Sequence, residues 1–227
     1  MKNLAIAFCS IVPEQYSETM QAQREKEYCG RLIQLKRILP KSYDLIIVDN
    51  TSDKIKNDNL NVFLNSCYFI KINDNEGSKN KGVGEISMLK KVLEIIDTKQ
   101  YENITYITGR HLYTCPYFFE RTEHLKKRAL LSNPDFVFIQ SGEICKSEKN
   151  GMFNDMIFSM NRETMLEYSK FSDLEYMLRS GVGSEQNLYN FIKDKSIDYE
   201  WVDWIGLIRN DWQRTGEYWN FNNFHIC

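Results

Sequence analysis

The 227-residue chain has only four Pro and eleven Gly, too few for a collagen-like or low-complexity polypeptide. Its 42% hydrophobic content is too high for a disordered one. Charge of one sign is also missing: 29 Lys+Arg stand against 31 Asp+Glu, a net of −2. The general electrostatic pull on nucleic acid or anionic membranes is therefore absent, nucleic acid is not expected as a partner, and any basic site must be local. No apolar run approaches the roughly 20 residues of a spanning helix, so no transmembrane segment is expected. Leu4 to Val12 is apolar but short, runs into Pro13 and Glu14, and lacks the small-residue cleavage pattern of a secretory signal. The six cysteines (Cys9, Cys29, Cys67, Cys115, Cys145, Cys227) form no C-x-x-C pair and have no histidine at a ligand spacing. In a chain long enough to bury its own core this points to reduced thiols and a cytoplasmic location.

What is present is an alternation of short apolar runs with amphipathic stretches. Leu4–Val12, Asp44–Val48, Cys67–Ile72 and Ile104–Ile107 read as strands. Between them Glu18–Leu39 reads as a helix stopped by Pro40, and a second helix opens near Gly82 with Ile86, Met88, Leu89, Val92, Leu93 and Ile96 on one stripe. Buried strands alternating with helices predict an α/β fold, a mostly parallel central sheet with flanking helices whose ligands bind beyond the strands' carboxyl ends. The second half is more irregular. Phe136–Gln140 and Met156–Met160 read as strands, Glu163–Tyr168 and Ser184–Lys193 as helices, and the tail from Tyr199 is aromatic and mixed. With no linker or repeat, residues 1–227 read as a single domain, with a regular first half, 1–111, and a more irregular second half, 112–227.

The strand ends carry the unusual residues. Val48 is followed by Asp49, Asn50, Thr51, Ser52 and Asp53. A carboxylate with amide and hydroxyl neighbours suits a ribose or a base, and an Asx-type turn is the competing reading. The loop from Asn73 to Glu85 combines Gly77, Gly82 and Gly84 with Lys79 and Lys81, and runs into a helix N-terminus whose free N–H groups favour an anion. It is neither a Walker loop nor a dinucleotide fingerprint, because the Gly-Lys-Ser/Thr and the glycine spacing are missing; a solvated lysine loop competes with a phosphate cradle. The fourth strand ends in Thr108, Gly109, Arg110 and His111. An arginine there can grip phosphate oxygens bidentately, or pair with a surface carboxylate; His111 reads more as packing than as a base. Asp155 precedes a strand, and Glu185 follows Gly181, Gly183 and Ser184 in a first helical turn, where Ser184 reads as an N-cap and Glu185 as either a dipole partner or a catalytic carboxylate. Trp201, Trp204, Trp212, Tyr218 and Trp219 read as core more than as sugar platforms, and Arg209, Arg214 and His225 as candidate lid residues.

In order and spacing these features resemble the nucleotide-sugar glycosyltransferases of the GT-A fold. In the inverting family that includes the cellulose and chitin synthases, one strand ends in a Val-Asp-Asp-Gly-Ser-like motif, a later loop repeats Asn-x-Gly, and a fourth strand ends in Asp-x-Asp. Val48-Asp49-Asn50-Thr51-Ser52 is similar to the first motif, and Asn75-Glu76-Gly77 with Asn80-Lys81-Gly82 to the second. The resemblance covers about the first half of the chain. It implies that Asp49 binds the uracil or ribose and that the Asn75–Gly82 loop lies along the nucleotide. Where Asp-x-Asp belongs, the chain has Thr108-Gly109-Arg110, as in small bacterial or viral proteins of this type that lack the motif. No carboxylate stands there to hold Mg²⁺ or Mn²⁺.

The resemblance implies transfer of a hexose from a nucleotide diphosphate sugar to an acceptor hydroxyl on a glycan or lipid-linked acceptor, in surface polysaccharide or glycoconjugate synthesis. No cofactor is expected, a divalent Mg²⁺ or Mn²⁺ being the alternative, and Arg110 with Lys79 or Lys81 would neutralise the leaving diphosphate. Glu185 is the first candidate for the base and Asp155 the second; Glu185 lies where these families often place a carboxylate, though followed by Gln186. Asn50, Ser52, Gly77, Asn80, Thr108, Gly109 and His111 complete the expected substrate site. Two alternatives stand beside this: a sugar nucleotidyltransferase, which usually wants a glycine-rich basic loop where Cys9–Tyr16 has no glycine, and a non-catalytic nucleotide-sugar or glycan-binding module.

Overall fold

A computed structural model describes residues 2–51, 55–72, 76–132, 152–153, 155–203 and 205–208. Strand β1 (Lys2–Cys9) leads to helix α1 (Glu18–Ile38), β2 (Tyr43–Asp49), α2 (Asp58–Asn65), β3 (Tyr68–Lys71), α3 (Lys81–Ile95) and β4 (Tyr101–Thr108). After β4 come β5 (Leu112–Tyr113), α4 (Tyr117–Glu123), β6 (Ala129–Ser132), β7 (Ile157–Asn161), α5 (Arg162–Phe171), α6 (Leu174–Ser180), α7 (Ser184–Asp194), β8 (Tyr199–Val202) and β9 (Leu207–Ile208). Local chemistry sets the boundaries of α1. Ser17 caps its first turn through Met20 N, and Leu39, which precedes Pro40, turns to extended backbone because the proline ring disfavours a helical predecessor.

The fold is the expected α/β architecture. A seven-stranded sheet has the order β3-β2-β1-β4-β7-β6-β8; β1 to β4 are mutually parallel, while β7 is antiparallel to both β4 and β6. A separate pair, β5 and β9, runs antiparallel. Strand residues alternate between two cores, because successive side chains point to opposite faces. Leu4, Ile6 and Phe8 join Val83, Leu89, Tyr168 and Phe191 on the face covered by α3, α5 and α7. Ala5, Ala7 and Cys9 join Tyr28, Leu32, Leu60 and Phe119 on the face covered by α1, α2 and α4. Across the middle of the first face the rings of Phe8, Tyr106 and Phe158 stack at 4.4 and 4.7 Å, contacts that add about 1 kcal/mol each to the burial itself.

The expected strands and helices of the first half are present within a few residues. The structure adds α2, α4, α6 and the short strands β5, β6, β8 and β9, while Phe136–Gln140 lies outside the described residues. Trp201 packs against Phe153 and Tyr199 beside the first core, as expected; Trp204, Arg209, Trp212, Arg214, Tyr218, Trp219 and His225 lie outside the described residues. Among the described residues Cys9, Cys29, Cys67 and Cys115 are free thiols, and no helix is long and apolar enough to cross a membrane.

Candidate functional site

After β1 the chain steps outward to β2 and β3, then returns through α3 to place β4 on the other side of β1. At such a reversal neighbouring loops diverge and open a crevice at the carboxyl ends of the two strands. A crevice of about 240 Å³ lies here. Phe8, Cys9 and Ser10 at the end of β1 and Thr108 and Arg110 at the end of β4 line it. Asn50 and Thr51 from the end of β2, Tyr16, Arg24 and Tyr28 from the α1 side, and Gly77, Lys81, Glu85 and Met88 from the α3 side complete it.

Its charges are unevenly held. Lys81 and Glu85, one turn apart on α3, form an ion pair of 3.1 Å in which Glu85 is buried and Lys81 half open to solvent. Burial works against ionisation of Glu85, but Lys81 and Arg110 outweigh it and hold this carboxyl below its ordinary range; Glu85 in turn raises Lys81. Arg110 has its carbonyl pinned by Arg31 Nη1 at 2.7 Å, while its own Nε is buried without a hydrogen-bond partner among the described residues. The crevice thus collects Arg24, Lys81 and Arg110 around one carboxylate, an arrangement suited to a multiply charged anion.

Behind Glu85, Asp155 and Glu185 approach the same hydroxyl, Ser184 Oγ. Asp155 is buried, and desolvation, then Glu185 and Glu85, push its carboxyl up to about 7. Neither Asp155 nor Glu185 lines the crevice itself; both stand behind its α3 wall. Ser184 is the first helical residue of α7 and Gly183 is the N-cap, so the expected capping role of Ser184 is corrected: its hydroxyl serves carboxylates instead.

Several residues expected to contact ligand have protein partners in the structure. Asp49 is fully buried off the crevice, its Oδ2 accepting from Ile11 N at 2.7 Å and its Oδ1 from Thr51 N and Oγ1 at 2.7 and 3.0 Å. The Asx-type turn is present, and the carboxylate ties the start of the β1–α1 loop to the end of β2. Asp49→Ala is expected to strand these donors and lower stability by about 2 kcal/mol, read from the urea midpoint. Asn80 caps α3, its Oδ1 accepting from Gly82 N and Val83 N and its Nδ2 donating to the Val182 carbonyl at 3.1 Å. The first amides of α3 therefore already have an acceptor. Lys79 is exposed and away from the crevice; Lys81 is the lysine that reaches it.

The glycines serve protein packing. A Cβ on Gly82 would stand 2.4 Å from Ser184 N, and one on Gly109 2.5 Å from Cys9 Sγ. His111 is buried, with its N–H on the Thr108 carbonyl, and does not line the crevice. Asn50, Gly77, Thr108 and Arg110 are the expected residues that do line it, and Asn50 Oδ1 accepts from Ser10 Oγ at 2.8 Å. Ser52 and Asn75 lie outside the described residues. At the end of β4, where the resemblance would place carboxylates for a cation, Thr108 N bonds the Met156 carbonyl, Gly109 is packed on Cys9 and Arg110 presents a guanidinium. These residues do not fit a divalent cation, and among the described residues no three His, Cys, Asp or Glu side chains are grouped to hold one.

Three charged residues of α1 escape a reading that assigns charges to the solvated face. Arg24 donates to the Ser10 and Ile11 carbonyls and lies over the rings of Tyr16 and Tyr28 at 5.1 and 5.5 Å. Glu25 accepts from the backbone N–H of Lys56 and Asn57, and Arg31 holds Arg110. All three are buried. The signal was in their spacing, because Arg24, Tyr28, Arg31, Leu32 and Leu35 fall on one helical stripe.

No family model matches this chain, and no curated protein matches it in sequence. Solved structures share its fold. A provisionally assigned nucleotide-diphospho-sugar transferase from Desulfovibrio desulfuricans G20 is similar with a TM-score of 0.55 at 9% identity, over 89% of this chain and 80% of that one. S. aureus TarS, residues 1–349, gives 0.55 at 10% identity over 89% of this chain; the chain spans 58% of that structure. The inositol-1-phosphate CTP transferase of T. maritima gives 0.54 at 12% identity over 91% and 87% of the two chains. This chain shares its α/β architecture with these three structures.

Proposed function

We propose that the protein is a glycosyltransferase that moves a hexose from a nucleotide diphosphate sugar to an acceptor hydroxyl on a glycan or lipid-linked acceptor, without a divalent cation. The observation that carries this reading is the convergence of Arg110 and Lys81 on the crevice at the ends of β1 and β4, which Asn50 and Tyr16 also line. In the reaction the bond from the sugar's anomeric carbon to the diphosphate oxygen breaks, and a bond from that carbon to the acceptor oxygen forms. Glu185, the partly exposed carboxylate of the Asp155 and Glu185 pair, takes the acceptor's proton, and the electron pair leaves with the diphosphate. Arg110 and Lys81 stabilise that charge by preorganised hydrogen bonding in a partly desolvated site.

Nucleotidyl transfer to a sugar phosphate is the second reading, favoured by the likeness to the CTP transferase. Against it, the segment after β1 carries no glycine between Cys9 and Tyr16, and its carbonyls at Ser10 and Ile11 are turned toward Arg24.

A thermal-shift panel of UDP-, GDP-, CMP- and dTDP-sugars, with EDTA or with Mn²⁺, tests the reading, since a ligand that binds only the folded state raises the melting temperature. One donor is expected to stabilise the protein equally in both conditions and to be hydrolysed slowly without acceptor, while Glu185→Gln keeps the shift and loses turnover. Binding that vanishes in EDTA and returns with Mn²⁺ would refute the metal-free mechanism. A nucleotide triphosphate and sugar phosphate consumed together would establish the second reading.

A further inference from the structure

Ser184 Oγ is buried between three carboxylates: Glu85 Oε2 at 3.0 Å, Glu185 Oε2 at 3.5 Å, and Asp155 Oδ2 in a closer hydrogen bond. A hydroxyl carries one proton, so it donates to one of these groups and offers only lone pairs to the others. Three ionised carboxylates around it would leave bare oxygen facing bare oxygen away from water. The cluster therefore needs a second proton.

Its place follows from the neighbours. Glu85 has Lys81 at 3.1 Å and the Arg110 charge nearby and stays ionised. Glu185 is partly exposed and can be solvated. Asp155 is buried and makes no ion pair with a described residue. The chain of donors that satisfies all the contacts runs from the Asp155 carboxyl O–H to Ser184 Oγ, and from the Ser184 hydroxyl to Glu85.

We propose that Asp155, read through Ser184, is a positioning residue whose proton sets the charge presented to the donor's diphosphate. This rests on the reading of the crevice as a donor site. With the proton in place Ser184 orients Glu85 toward Lys81, and the wall carries Lys81 and Arg110 against one carboxylate. When the proton leaves to solvent, a second negative charge appears behind Glu85 and opposes an anionic ligand.

Burial and the two neighbouring carboxylates raise Asp155 to about 7, which puts the change between roughly pH 6 and 8. The groups that face Asp155 are Lys81 and Glu85 of α3, Arg110 beyond β4, Tyr106 of β4, Tyr113 of β5, Tyr168 of α5 and Glu185 of α7. All three tyrosines are raised above their ordinary value by burial and so keep their protons throughout this window. The sign for folding is fixed as well: a carboxyl raised in the folded state binds its proton more tightly there, so its contribution to stability falls as pH rises from about 4 through 7.

The test is calorimetric titration of wild-type protein and Asp155→Asn with the nucleotide diphosphate of whichever donor the thermal-shift panel selects, at half-unit steps from pH 5.5 to 8.5. Ionisation of the ligand's own phosphate affects both proteins alike, so the ratio of their affinities isolates Asp155. The wild type is expected to lose about tenfold relative to Asp155→Asn across the window, the order of effect of one added charge acting through a partly screened site. Parallel profiles would overturn the proposal while leaving the donor reading intact; absence of binding at every pH would overturn both. Should Asp155→Asn fail to fold, infrared titration of the wild type decides. A protonated buried carboxyl band lost in step with affinity supports the proposal, and a band constant or absent through the window refutes it.

Discussion

Gly82→Ala is expected to cost about 3 kcal/mol of stability, the upper end of the range for overpacking. The new methyl group would lie 2.4 Å from Ser184 N, 2.9 Å from Gly183 C and 3.1 Å from Gly183 Cα. These are backbone atoms at the start of α7, so no side chain can swing aside; one helix must move. The melting temperature should fall by roughly 10 °C for a chain of this size. Gly30→Ala supplies the contrast. Gly30 is within α1 with nothing inside 4 Å of the new methyl, so alanine there should raise stability by about 0.5–1 kcal/mol. Urea unfolding of both variants checks the pair, and a Gly82→Ala midpoint within error of wild type would show that α3 and α7 do not touch at this point.

Arg110→Ala is expected to weaken diphosphate binding by about 100-fold, the loss of two charge-assisted hydrogen bonds from a partly desolvated site. Arg31 already holds the Arg110 backbone at 2.7 Å, so the alanine variant should keep its local fold and its far-ultraviolet dichroism. Arg110→Lys should recover only part of the loss, because an ammonium cannot reproduce the guanidinium fork. Calorimetric titration with the selected nucleotide diphosphate measures all three proteins, and an unchanged affinity in Arg110→Ala would remove this residue from the proposed mechanism.

The parallel strands were legible because they are buried on both faces and read as unbroken apolar runs, Leu4 to Cys9 and Ile104 to Ile107 above all. The end of the sheet where the crevice lies was legible too, since a parallel α/β sheet takes its ligands at the carboxyl ends of its strands. Which polar residues face it was legible only in part: Asn50, Lys81, Thr108 and Arg110 do. Asp49, Asn80, Gly82 and Gly109 are uncommon residues at the right strand and helix ends, yet each is consumed by a neighbour distant in sequence: Asp49 by Ile11, Asn80 by Val182, Gly82 by Ser184, Gly109 by Cys9. A linear reading cannot tell a residue that contacts a ligand from one that lets two segments meet. Lys79 and Lys81 look alike in the sequence, but Lys79 precedes the Asn80 cap and stays in solvent, while Lys81 opens α3 and reaches the crevice one turn before Glu85.

The crevice straddles the sheet rim, with α1 over one layer and α3 over the other, and each layer has a hydrophobic interior of its own. A molecule seated there would act as a rivet through two plates, so loosening either plate far from the rim would be felt as weaker grip at the rivet, with no change in any group that touches it.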